Sequence, residues 1–571
     1  MQDELLLGRY LSGADTSGAA RLLPSVAVAS AAGVLDSSKA AQARSKPRGG
    51  RAGEAEAARL LIQASFGPTD ASIASVMSLG TGGWLEDQFA LPQTLHRTYI
   101  EQAIAAGDPA APQSAYRDFV MDTFWKQAIT GADQLRQRMA FALSQIFVVS
   151  QVNGDVSGRP RGLASYLDML GANAFGNFRT LLEAVTLHPI MGLYLSHLRN
   201  QKENPSTGRM PDENYAREVM QLFTIGLYEL NTDGSQRLDG SGRPIATYDN
   251  ADVQGLARVF TGWSWAGPDK SNTRFSGGTP DPDRDILPMQ AYPQYHSTSA
   301  KSFLDVTIPA NTPAEDSLKI ALDRLFNHPN TGPFIARQLI QRFVTSNPSP
   351  AYVARVAGAF ANNGRRVRGD MKAVIRAMLL DSEARSERSL SQAAWGKLRE
   401  PVVRLAGWAR AFGATSVSGN FTIRNVADPS SALGQNPLRS PSVFNFYRPG
   451  YVPPNTAIAA AGLVAPEFQI TGENSTAGYL NFMRNVVNAG VGSGTDVRSS
   501  YTQEVAIAGN PDPLVDRVKL LLTANQMTDA TRLAIRDAVA SIPATATNAT
   551  LNRAKLAVYL TLASPEFIVQ K

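Results

Sequence analysis

Asn214 and Glu218 stand four residues apart in the stretch PDENYAREVMQLFTIGLYEL, residues 211 to 230. On a helix that spacing places them one turn apart, at the border of an apolar and a polar face. A carboxylate there is half buried and needs a partner. Such a group suits general acid–base chemistry, with His188 at a predicted helix end and His296 in a long loop as proton-transfer partners. Glu218, His188 and His296 are therefore the catalytic candidates, and Asn214, Arg217 and Trp263 the binding candidates. Each also has a plainer reading. Glu213 and Arg217 have the favourable i, i+4 order of an exposed pair worth about 0.3–0.5 kcal/mol. A helix-end histidine is often a cap. Trp263 and Trp265 could wall a sugar site or plug the core.

Other chemistries are excluded or left open by residue type. With no cysteine there is no disulfide, thiolate metal site or cysteine nucleophile. The five histidines, at 96, 188, 197, 296 and 328, form neither HExxH nor an i, i+4 pair, which argues against a zinc hydrolase and indicates no metal. Asp281, Asp283 and Asp285 alternate as in a calcium loop. Ile286 stands where that loop needs glycine and Tyr292 where it needs glutamate, so only a looser cation site stays open. Gly262-Trp263-Ser264-Trp265-Ala266 approaches a nucleophile elbow but lacks its final glycine and the preceding parallel strand. No phosphate loop, dinucleotide fingerprint or Ser-x-x-Lys motif appears in a fitting context, and the residues point to no particular cofactor.

The elements that must position these residues are mostly helices. Asp212 is the expected N-cap of a helix running from 212 to 230, with Tyr215, Val219, Leu222, Phe223 and Gly226 on its core face. Leu135 to Val149 and Phe178 to Leu187 repeat the one-sided apolar pattern. Ser235 to Tyr248 reads as a β-hairpin turning at Gly240-Ser241-Gly242. A helix capped by Asp249 or Asn250 leads into Phe260-Thr261-Gly262-Trp263-Ser264-Trp265. Residues 266 to 300 then form a long aperiodic loop, of the kind that carries function. Thr312-Pro313-Ala314-Glu315 reads as a capping box with proline at the first helical position. The expected class is mainly α: a large multi-helix bundle with one short β-hairpin and long irregular loops.

Length and composition allow two lobes, 54–300 and 301–571, behind a leader or linker at 1–53. In that leader an apolar run from Leu22 to Leu35 precedes Ala41-Gln42-Ala43, which resembles a signal-peptidase site, while Asp3, Glu4 and Asp15 spoil a positive n-region. At 43% hydrophobic and 18% charged residues the chain is of soluble globular type. No apolar run reaches the ~18 residues of a membrane span. The net charge of +6 is spread over dispersed arginines. The small clusters at Arg44, Lys46, Arg48 and Arg51 and at Arg365, Arg366 and Arg368 lack interleaved aromatics, so they read as solvated surface and not as a nucleic-acid platform.

The pieces AARLLIQASFGPT (57–69), LHPIMGLYL (187–195), DENYAREVMQLFTIGLYEL (212–230), FTGWSW (260–265), YHSTSAKSF (295–303), HPNTGPFIARQLIQRFV (328–344), KLREPV (397–402) and the ending ASPEFIVQK follow one another in order. In these pieces the chain resembles a bacterial family known as domain of unknown function 1800. The resemblance implies a large, mostly helical, exported protein, periplasmic or secreted, often encoded beside a family similar to the alkaline-phosphatase and sulfatase superfamily. It adds Lys301 to the binding candidates. It assigns no activity. Many members have His-Thr where this chain has Phe223-Thr224, and Asp where it has Ser297, so a polar site built on those residues elsewhere is incomplete here. Two functions follow as expectations: a binding or assembly partner at the cell envelope, or a hydrolase whose pocket joins helix 212–230 to loop 266–300.

Overall fold

The computed structural model describes residues 52–107 and 112–571. The leader features, including Arg44, Lys46, Arg48 and Arg51, lie outside the described residues. Helices make up 53% of the described residues beside a few two-stranded ladders, so the class is mainly α. No described helix is long and apolar enough to cross a membrane.

Local sequence sets many of the helix starts. Asp249 and Asp252 form a reciprocal capping box at the head of helix Asn250–Val259. Asn177 accepts from the Arg179 N–H at 2.9 Å to open helix Phe178–Leu187. The start after Thr312 differs. Helix Ala314–Asn327 begins behind Pro313 with no side-chain cap, because the Thr312 hydroxyl donates to the Pro309 carbonyl at 2.8 Å.

The helix expected over 212 to 230 spans only Asn214–Gln221. Asp212 still accepts from the Asn214 N–H at 2.9 Å. At the other end the Ile225 and Gly226 N–H groups both reach the Met220 carbonyl, a widened last turn. The cause is Asn330, buried at 1% exposure. Its amide donates to the Ile225 and Tyr228 carbonyls and its oxygen accepts from the Leu230 N–H, so the chain leaves the helix extended. Residues 227–231 then bridge to the expected hairpin at Tyr228–Ala246 and Leu230–Gln236, while Leu238–Pro244 closes the hairpin itself.

Helix Pro401–Ala411 runs through the interior with every residue buried. Its Arg410 donates to the Gly67 and Ile129 carbonyls at 2.8 Å each, so this arginine binds segments more than 270 residues away. Contacts cross residue 300 elsewhere too, between helices Glu54–Ala64 and Pro511–Thr523 and between Phe178–Leu187 and Ala314–Asn327.

The loop 266–300 is tied down at both ends. Its Gln290–Ala291 pairs antiparallel with Trp263–Ser264. Its three alternating aspartates face arginines: Arg274–Asp281 at 3.1 Å, Arg161–Asp283 at 3.0 Å and Arg159–Asp285 at 2.5 Å. Arginine supplies the positive charge that a cation would have brought. Among the described residues no group of three or more His, Cys, Asp or Glu could hold a metal ion.

Helix Asn250–Val259 lies directly on strand Lys301–Phe303, and Gly255 makes that approach possible. A Cβ on Gly255 would stand 1.8 Å from the Ser302 carbonyl oxygen. Gly255→Ala should therefore lower the unfolding free energy by about 1–3 kcal/mol in urea denaturation, as overpacking does.

Candidate functional site

Glu218 lies on the short helix at 7% exposure, and its Oε2 has no hydrogen-bond partner. Burial pushes its carboxyl up to about 7, against the opposing pull of Arg217. It faces Tyr194, whose hydroxyl burial raises to about 12, with Glu218 adding to the effect. Asn214 is exposed and donates to Ser196 Oγ at 3.3 Å. Arg217 pairs with Glu213 at 3.4 Å.

His188 caps the following helix, Pro189–Tyr194. Its Nδ1 accepts from the Ile190 N–H at 3.3 Å, and its Nε2 lies 3.4 Å from Ser165 Oγ. Burial lowers it to about 3. His296 sits elsewhere, in the loop. Its Nδ1 lies 2.8 Å from the Thr261 carbonyl oxygen. A carbonyl only accepts, so Nδ1 carries the proton and Nε2, which is buried without a partner, keeps its lone pair. Gly262 allows this packing, since a Cβ there would stand 2.7 Å from the His296 amide nitrogen. Burial holds His296 below the usual histidine range, and Lys301 acts in the same direction. Lys301 is itself fully buried, donates to the Ser299 carbonyl at 3.3 Å and is lowered first by burial. Both residues lie within electrostatic range of Glu203, whose Oε1 accepts from Ser297 at 2.9 Å and from Ser299.

The structure thus brings His296 and Lys301 together, with Glu203. Glu218 and His188 both lie against helix Pro189–Tyr194, on different partners. Trp263 is buried at 4% with its indole N–H unpaired. Trp265 is buried as well, under Arg159 and Arg284 at 5.3 and 5.2 Å from its ring centroid.

Above Trp265 opens a cleft of about 770 Å³. Its walls are residues 154–159 and 277–285, with Asp155, Arg159, Asp281, Arg284 and Asp285 as its charged groups. Exposed Val152 (56%) and Leu287 (42%) adjoin the two walls in sequence. The cleft takes its second wall from the long loop, and helix Asn214–Gln221 supplies none of its lining. Its first wall, Gly154-Asp155-Val156-Ser157, drew no attention in the sequence, since a four-residue helix has no period to detect.

The family model described as "Protein of unknown function (DUF1800)" matches residues 59–569. This chain belongs to the DUF1800 family. No curated protein and no solved structure matches.

Two of the DUF1800-like pieces, HPNTGPFIARQLIQRFV and KLREPV, meet in a buried charge cluster that sequence reasoning missed. Lys397 Nζ bonds Glu467 Oε1 at 2.8 Å and the Arg342 carbonyl at 2.9 Å. Arg138 donates to that same carbonyl at 2.7 Å and lies 3.7 Å from Glu400 Oε1. The Glu400 Oε2 accepts from Gln435 at 2.9 Å and from Gln145. Burial alone would raise Glu400, but Lys397, Arg138 and these amides hold it below the usual carboxylate range. All five charged side chains are at most 4% exposed. The aromatic loop 440–449 closes over them, with Tyr447 buried beside Glu400.

Two outcomes follow for this DUF1800 chain. Glu400→Ala should cost about 3–5 kcal/mol in urea unfolding, because it strands a buried cation. Glu218 acts on stability through pH. Its folded value of about 7 exceeds the unfolded 4.5, so the fold binds the extra proton between them and loses stability as pH rises through that window. Unfolding free energies at pH 5 and pH 8 should show a loss of roughly 2–3 kcal/mol in wild type that Glu218→Gln lacks.

Proposed function

We propose that this protein works as a binding or assembly partner at the bacterial cell envelope, exported from the cytoplasm. The observation that carries the reading is the cleft. A volume of about 770 Å³ is within the range of ligand sites, and its charged lining is fixed by ion pairs, Arg159–Asp285 between the two walls and Arg274–Asp281 within the loop. Exposed Val152 and Leu287, each two residues along the chain from a wall, support a protein as the occupant. The resemblance to an exported family supports the location. It also favours, as partner, the neighbouring protein similar to the alkaline-phosphatase and sulfatase superfamily.

A second reading, a hydrolase with a carboxylate and histidine pocket, is favoured by the near-neutral Glu218 and the free Nε2 of His296. Both Glu218 and His296 are buried, so substrate access requires movement of the loop around His296.

A photo-crosslinking residue at Gln113, on the cleft rim, should form an adduct with the co-expressed phosphatase-like partner in intact cells, and Gly278→Trp should abolish it. Persistence of the adduct in Gly278→Trp would remove the cleft from binding. In a metal and hydrolase screen, wild type and Glu218→Gln should behave alike; activity confined to wild type would move the assignment to the hydrolase.

A further inference from the structure

Helix Pro189–Tyr194 stands behind both walls of the cleft. It packs on helix Gly154–Ser157, the first wall. Its Ile190 reaches the second. Gly162 has no side chain, and a Cβ there would stand 2.5 Å from Ile190 Cδ1 and 3.1 Å from Asp285 Cβ, so Ile190 and Asp285 meet over that glycine. The Met289 N–H, just beyond the second wall, bonds the Leu187 carbonyl at 2.7 Å. What starts this helix at the His188-Pro189 corner is the bond from the Ile190 N–H to His188 Nδ1. Proline removes the preceding donor, so this ring nitrogen satisfies the first available N–H. An acceptor nitrogen is lost when it takes a proton.

We propose that the cleft is acid-sensitive, and that His188 is its latch: a proton on Nδ1 breaks the cap, frees helix Pro189–Tyr194 and loosens both walls. The idea rests on the cleft being the binding site, and adds that the partner is released in acid.

The groups around the latch favour the neutral ring. From helix Pro160–Asn173 come Ser165 Oγ and the Tyr166 ring, edge-on at 5.1 Å. From helix Phe178–Leu187 comes Thr186, whose hydroxyl is taken by Tyr215 and whose carbonyl is taken by His197. Glu218 lies beyond Tyr194 at the far end of the short helix, and Asp285 is held by Arg159. His328 makes the same corner at His328-Pro329, its Nδ1 accepting from the Asn330 N–H at 3.2 Å, and it lies near Arg324, Arg368 and Asp305, not near the cleft walls. It is an internal control.

Hydrogen exchange of the full chain, corrected for intrinsic rates, tests the latch without any partner. A cleft that binds nothing and a cleft deaf to acid are thus separate results. With one proton taken up on opening, exchange of the segments 150–160 and 277–287 should speed about tenfold per pH unit below pH 6.5, or roughly a hundredfold by pH 4.5. His188→Asn keeps an acceptor that does not titrate in this range, and its cleft segments should lose that slope. His328→Asn should retain it. An unchanged slope in His188→Asn would overturn the proposal, as it would if acid acted through the Arg159–Asp285 pair. If His188→Asn does not fold, wild type still decides: the helix Pro511–Thr523 should stay flat over the same range, and an equal slope there means global opening and overturns the latch.

Discussion

The fold depends on burying charge without leaving it unpaired. Arg138, Arg342, Lys397, Glu400 and Glu467 lie at the centre, where an isolated ion would cost several kcal/mol. They come from distant stretches of sequence, and each is held by carbonyls, amides or an opposite charge from another segment. Satisfying them requires the N-terminal helices, the helix ending at Phe343, the strand at Lys397 and the aromatic loop to arrive together. The same device recurs at Arg410, which caps carbonyls of the first half from a helix of the second. A body joined this way gains specificity of arrangement, because a mispacked alternative strands a charge.

Around that frame, polar groups near the outer layer play a different part. All five histidines are buried and burial lowers every one of them. Their ring nitrogens serve as fixed donors and acceptors: His188 and His328 accept from the N–H two residues on, while His197 and His296 donate to carbonyls. A neutral imidazole can do both jobs at once, which a lysine or carboxylate cannot. The cost is acid sensitivity, since each ring would be protonated in an opened chain.

The open cleft contrasts with these closed sites. The groups picked out for catalysis are sealed in, whereas the aspartates and arginines of the long loop line open space. The Arg159–Asp285 pair ties the two walls to each other and Arg274–Asp281 braces the loop internally, so the loop is shaped without a period of its own. Binding is the chemistry such a surface offers first.

Helix class, the hairpin and helix starts such as the one at Asp249 were legible in the sequence, because caps and one-sided apolar spacing act within a turn or two of chain. The place of Glu218 at the border of the apolar face was legible for the same reason, but its burial to 7% exposure was not. The early end of its helix was not, since it is imposed by Asn330, more than a hundred residues on. Nor were the pairing of His296 with Lys301 beside Glu203, the five-charge cluster, or the glycine-bearing wall at 154–158. Sequence alone determined which faces must be covered, through periodicity and caps. Only the tertiary structure decided which polar groups would meet and which would face open space, because burial and long-range pairing are properties of the packed chain.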